Sequence, residues 1–118
     1  MEKGDIIFGR KKSDAIHPIV YLKDSDGGYF IGAMLTTSKN FADNILMNAE
    51  HFKVSDEKGV KYELQYNNTH LVKAKLLKRN EWEPFRKIGK LSDTGIKFVE
   101  SKIDQEHEKL WEDYISGR

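Results

Sequence analysis

Residues 18–36 read PIVYLK, DSDGG, YFIGAMLT, and no other stretch limits the possible folds as strongly. Two apolar runs, rich in β-branched and aromatic side chains, flank five residues of turn chemistry. They read as two strands joined by a tight turn. Pro18 suits the first position of its strand, where a missing amide does least harm. It also biases His17 toward extended geometry. Gly32 and Ala33, inside the second run, point to close approach of another backbone or to a bend.

Similar but shorter runs occur on either side. GDIIF (4–8) and FRKIGKL (85–91) read as strands, the latter entered after Pro84. HLVKAKLLK (70–78) reads as a strand or a short helix. ILMN and HFKV, around Ala49 and Glu50, suit short strands. VKYELQY (60–66) alternates apolar and polar residues, as in a half-buried strand or an excursion within a longer loop. GRKKSDAI (9–16) and TSKNFADN (37–44) read as exposed loops. The last segment differs in period. Ser92 or Asp93 can cap a helix from Thr94. Ile96, Val99, Ile103, Leu110, Tyr114 and Ile115 then recur at helical spacing, His107 fills the gap as a packed histidine, and Gly117 ends it. The pattern predicts a mainly β chain, a small barrel of mostly antiparallel strands over about 4–91. A long C-terminal α-helix over about 94–116 completes a single domain, 1–118.

The 118 residues suit one domain, and a hydrophobic fraction of 38% is enough for one core. No apolar run reaches the ~18 residues of a membrane span. The N-terminal stretch has no signal-peptide pattern, so a cytoplasmic protein is expected. Without cysteine, disulfides and thiolate zinc sites are excluded. The net charge of +1 is uninformative, but its distribution is not. Lys73, Lys75, Lys78, Arg79, Arg86, Lys87 and Lys90 crowd between Thr69 and Leu91, opposed in that stretch only by Glu81 and Glu83. The tail from Asp93 is acidic. The basic segment is either a patch for a polyanion or a set of solvated lysines.

In order along the chain, GDIIF, HPIVYL, FIGAMLTTSK, THLVKAKLLKRN and KIGKLSDTGIKFVESKI resemble the MazF/PemK (Kid) family of toxins. Those toxins begin Gly-Asp-hydrophobic-hydrophobic and open a strand with Arg-Pro. A later strand ends in Thr-Ser or Thr-Thr. The resemblance implies an SH3-like barrel, a homodimer, cleavage of single-stranded RNA with no metal or other cofactor, and a cognate antitoxin covering the substrate groove. It also places the family's chemistry on this chain. The family arginine before the proline is His17 here. The threonine is kept as Thr36, with Thr37 beside it. The Asp-Gln pair becomes Thr69-His70, and the arginine after it becomes Lys73. The departures therefore fall on the chemistry.

RNA cleavage by its own 2′-hydroxyl needs a base, an acid for the leaving 5′-oxygen, and cations for the phosphorane charge. Histidine suits the first two tasks. The candidate catalytic residues are His17, Thr36 and His70. The candidate substrate-binding residues are Arg10, Lys11, Lys12, Thr37, Lys73 and Lys75, the last two on one face by strand alternation. Each has a plainer reading: turn histidine, β-branched strand end, strand-edge histidine, solvated cation. His51 reads as structural. No HxxxH or HxH spacing, phosphate-cradling glycine loop or GxSxG elbow occurs. Tyr21, Phe30 and their aromatic neighbours suit the core, and Trp82 suits an exposed or contact position. Three functions remain: a toxin endoribonuclease, a non-catalytic RNA- or protein-binding module on the same barrel, or a subunit that docks through its C-terminal helix.

Overall fold

The computed structural model describes residues 1–8, 17–38, 43–80 and 85–116. Its centre is the pair of runs in 18–36. β2 (Ile19–Asp24) and β3 (Tyr29–Thr36) pair antiparallel, with Ile19 opposite Met34 and Val20 opposite Ala33. Gly27 and Gly28 turn the chain with φ of +70° and +82°, a region that costs a residue with a Cβ. Within β3, a Cβ on Gly32 would stand 2.7 Å from the Val20 carbonyl oxygen, so the expected close approach is real. Across Leu22 the register slips by one residue.

β1 (Asp5–Phe8) lies on the far side of β2, and β7 (Arg86–Lys90) lies beyond β1. On the other side of β3, two successive segments share its edge. They are β5 (His70–Leu71), which also carries β4 (Ile45–Leu46), and β6 (Lys75–Arg79). Leu35 pairs with Leu71 and Gly32 with Leu76, so three steps along β3 match five on its partner. The two extra residues fall where Ala74 N–H donates to the Val72 carbonyl, and this break divides the expected single element of 70–78. All eight described strands belong to one sheet, antiparallel except where β8 (Glu108–Leu110) pairs parallel with β6.

Period-2 alternation places one core on each face of the sheet. Ile6, Val20, Leu22, Ile31, Ala33, Leu35 and Leu71 form the first core, closed by Val99 and Ile103 of α1 (Asp93–Ile103). Ile7, Ile19, Tyr21, Phe30, Met34, Val72, Ala74 and Leu76 form the second, closed by Trp111 of α2 (Trp111–Ser116). Of the two caps the sequence allows, Ser92 is the one used: it accepts from Gly95 N–H at 3.1 Å, and α1 starts at Asp93, one residue before the expected Thr94. The single helix expected over 94–116 is instead two helices with β8 between them. The reason is local. Between Ile103 and Leu110 the chain is Asp-Gln-Glu-His-Glu-Lys, which offers no apolar residue to hold a helical stripe on the sheet. The open edge of β6 accepts the segment as a strand instead. His107 is consequently exposed, not packed.

The segment 60–66 is the loop excursion of the two readings. Tyr62, Leu64 and Tyr66 are half-buried and alternate with exposed residues, but the backbone ties are scattered: Asp56 N–H to Val60, an isolated bridge of Ser55 with Lys61, Tyr62 N–H to Val54 and Leu64 N–H to Ile88. HFKV is not a strand. Ala49–His51 is a one-turn 3-10 helix, and Phe52 bridges to Leu91. No described helix is long and apolar enough to cross a membrane.

Candidate functional site

The strand register brings three sequence candidates to the end of β3. Thr36, the last residue of β3, pairs with His70 on β5. On its other side, Leu35 N–H donates to the Pro18 carbonyl at 3.0 Å, and Ile19 stands opposite Met34. Cross-strand partners share a face, so Thr36 and His70 form one row, next to Ile19, Met34 and Val72 of the second core. The Leu35–Pro18 bond carries the pairing one residue past the start of β2, so the backbone of His17 enters beside the end of β3.

Each side chain in the row has a defined setting. His70 is 8% exposed. Its Nδ1 lies 2.9 Å from the Asn68 carbonyl oxygen. A carbonyl only accepts, so Nδ1 carries a proton, and of the two neutral tautomers the site selects the one whose lone pair is on Nε2. Asn68 itself sits at φ +49°, the left-handed region that asparagine tolerates better than most residues. Thr36 is also 8% exposed, and its Oγ1 accepts from the Ser38 amide at 3.1 Å, closing a turn at the end of β3. Its own hydroxyl proton is left to point elsewhere. Thr37, next along the chain, is exposed, and His17 is half-buried.

The candidate phosphate lysines do not join this row. Val72, Ala74 and Leu76 all fill the second core, so the alternation that sets Lys73 and Lys75 together also turns them away from Thr36. Lys73 is exposed. The Lys75 ammonium donates to the Asp104 carbonyl at 3.3 Å, beside a cavity of about 190 Å³ between the sheet and the end of α1. Arg10, Lys11, Lys12 and Trp82 lie outside the described residues.

The rest of the basic segment is matched by acids from distant parts of the sequence. Arg79 faces Glu112 at 3.7 Å, and Arg86 pairs with Glu63. Lys87 and Lys90 both reach Asp5, at 3.1 and 3.0 Å, and Lys90 also reaches Glu2 at 3.2 Å. Burial alone opposes ionisation of Asp5. The Glu2 amide and the Lys90 and Lys87 ammoniums more than offset it and hold the carboxyl below the usual carboxylate range. Burial likewise works against the Lys90 charge, but its bonds to Asp5 and Glu2 raise its proton affinity above that of an ordinary lysine. Lys78 is 3% exposed, with its ammonium 5.0 Å from the centre of the Trp111 ring. Four of the seven cations, Arg79, Arg86, Lys87 and Lys90, thus meet an acid that folding brings from elsewhere in the chain.

His51 is structural, as expected. Its Nδ1 accepts the Asn48 amide at 2.9 Å, and its ring stacks on Phe98 at 4.3 Å. Among the described residues, no group of three or more His, Asp or Glu side chains is placed to hold a metal ion.

The sequence reading missed two residues beside the row. Asn68 fixes the His70 tautomer through its backbone, which side-chain type does not reveal. Leu46 on β4 pairs with His70 and extends the row to the sheet edge. The apolar run ILMN marked a strand there, but no local signal gave its register. Compared with models of known families and with proteins of curated function, this chain matches none.

Proposed function

We propose that the chain is the toxin component of a toxin–antitoxin pair, a MazF/PemK-like endoribonuclease on an SH3-like barrel. It cuts single-stranded RNA, works as a homodimer in the cytoplasm, and is held in check by a cognate antitoxin. The observation that carries this reading is the cross-strand pair of Thr36 and His70 at the end of β3, toward which Pro18, bonded to the Leu35 amide, leads the chain from His17. His70, with Nδ1–H held by Asn68, presents Nε2 as the base that takes the 2′-hydroxyl proton. The 2′-oxygen then attacks the adjacent phosphorus, and the bond to the 5′-oxygen breaks. His17 supplies the proton to that leaving oxygen. The products are a 2′,3′-cyclic phosphate and a 5′-hydroxyl. The Thr36 hydroxyl donates to a phosphate oxygen while its own oxygen remains on the Ser38 amide.

The test is incubation of the purified protein with a pool of single-stranded RNAs in the presence of a chelator. We expect cyclic-phosphate ends, and a rate lowered about 10²- to 10⁴-fold by His17→Ala or His70→Ala with unchanged thermal midpoints. Wild-type protein that leaves the whole pool intact, with or without added divalent ions, overturns the reading.

One observation favours the second reading, a binding module without catalysis. Thr36 and His70 are mostly buried, and the Thr36 oxygen already serves a turn. Under that reading RNA is retained by His17→Ala protein, with an affinity that falls steeply as salt rises. A complex indifferent to salt indicates a protein partner instead.

A further inference from the structure

Leu46 is 51% exposed, unusual for a leucine whose strand neighbours are core residues. Its position is fixed by the ladder. Met47 N–H donates to the Thr69 carbonyl at 2.9 Å. That bond makes Met47 and Thr69 a hydrogen-bonded pair, so Leu46 and His70 form the closer, non-hydrogen-bonded kind, with Cα atoms about 4.5 Å apart. Ile45, one residue earlier, packs into the first core. Leu46 therefore projects from the opposite face, the face of His70 and Thr36. The row reads Leu46, His70, Thr36 from the sheet edge inward, with the chain from His17 entering β2 on the far side of Thr36.

We propose that Leu46 is a specificity position: its side chain packs against the nucleobase on the 5′ side of the cut. The inference rests on the reading of the row as an RNA-cleaving site. In that site His70 receives the proton of the 2′-hydroxyl, so the ribose bearing that hydroxyl lies over His70. The leaving nucleotide lies toward His17, on the inner side. The base of the first ribose then extends outward, over the remaining member of the row. An aliphatic side chain offers that base a hydrogen-bond-free apolar contact, which selects by contact area and not by a donor–acceptor code. Leu46 touches no reacting atom, so it adds binding that is equal in the ground and transition states.

Steady-state cleavage of oligonucleotides that differ only in the base 5′ of the cut tests this. Leu46→Ala should raise KM about fivefold, the loss of roughly half a leucine's burial, and leave kcat unchanged. It should also flatten the preference among the four bases at that position alone. Leu46→Phe should lower KM and favour purines there, because the larger ring stacks on the larger base. The molar mass of each variant by light scattering is the control. Wild-type cleavage with Leu46→Ala kinetics and preference equal to wild type overturns the position and leaves the proposed reaction standing. A dimer that falls apart on Leu46→Ala also overturns it, since Leu46 is then an interface residue. Wild-type protein that cuts nothing overturns the proposed reaction and this position together.

Discussion

Asp5 shows how one side chain can be misread from its neighbours in sequence. In GDIIF it looks like a polar strand start, yet it is 4% exposed and anchors Lys87 and Lys90, more than 80 positions away. Asp5→Asn keeps the shape and removes the charge. We expect a loss of about 2 kcal/mol in urea unfolding, below the usual cost of orphaning a buried pair because Glu2 still serves Lys90 and Lys87 is partly solvated. The same groups set the pH limits. Asp5 binds its proton more weakly when folded, so its contribution is full above about pH 4 and disappears as pH falls through its folded value. Lys90 and Tyr21 bind theirs more tightly. Burial and the Asp24 carboxylate, 2.7 Å from the hydroxyl, push the Tyr21 phenol up to about 12. Their contribution is full below about pH 10 and disappears as pH climbs through the folded values. A thermal midpoint that shifts downward at both extremes, with Asp5→Asn removing part of the acid limb, checks this. Part of the pattern was legible in residue types: a threonine at a strand end and a histidine at a strand edge stand opposite each other, Thr36 on β3 and His70 on β5. What sequence could not give was charge pairing, because acids at 2, 5, 63 and 112 reach the basic segment only through the fold.

The strands with turn chemistry on both sides, β1, β2, β3 and β7, were legible almost to the residue, because alternation and turn residues act locally. The C-terminal helix was not. Its apolar spacing fits one long helix, but the polar stretch 104–109 gains more from the open edge of β6 than from another helical turn. The start of α1 rests on a contact that no spacing rule reveals. Gly95 lies so close to the 3-10 turn that an added Cβ would sit 2.0 Å from the His51 carbonyl oxygen. Both partners in that clash are backbone, so neither gives way cheaply. Gly95→Ala should cost about 3 kcal/mol, against about 1–2 kcal/mol for Ser92→Ala, which removes the cap and the hydroxyl's bond to the Glu50 carbonyl. Chemical denaturation of the two variants side by side tests the order. A milder Gly95→Ala would mean that α1 can lift off the 3-10 turn without loss.

At the scale of the molecule, the sheet is a partition between two unequal cores. The first is closed by α1 and the 3-10 turn. The second, which holds the candidate row at its margin, is closed by the C-terminal segment beyond Ile103. Ending the chain after Gln105 should leave the first core folded and strip Trp111, Tyr114 and Ile115 from the second. We expect retained far-ultraviolet circular dichroism, strong binding of a hydrophobic dye, and self-association. A truncated chain that is as monodisperse as the parent and dye-silent would show that the second face needs no cover. The parallel pairing of β6 with β8 carries a kinetic consequence. Lys75 meets Glu108 across 33 positions of chain, with α1 between them, so the loop must close before the pairing gives any return. The hairpin of β2 and β3 spans fewer than 20 positions and can form early. Refolding should therefore proceed in two stages, with Trp111 reaching its native environment after the sheet is already built. On the ribosome, the face bearing Thr36 and His70 would be the last part of this protein to mature.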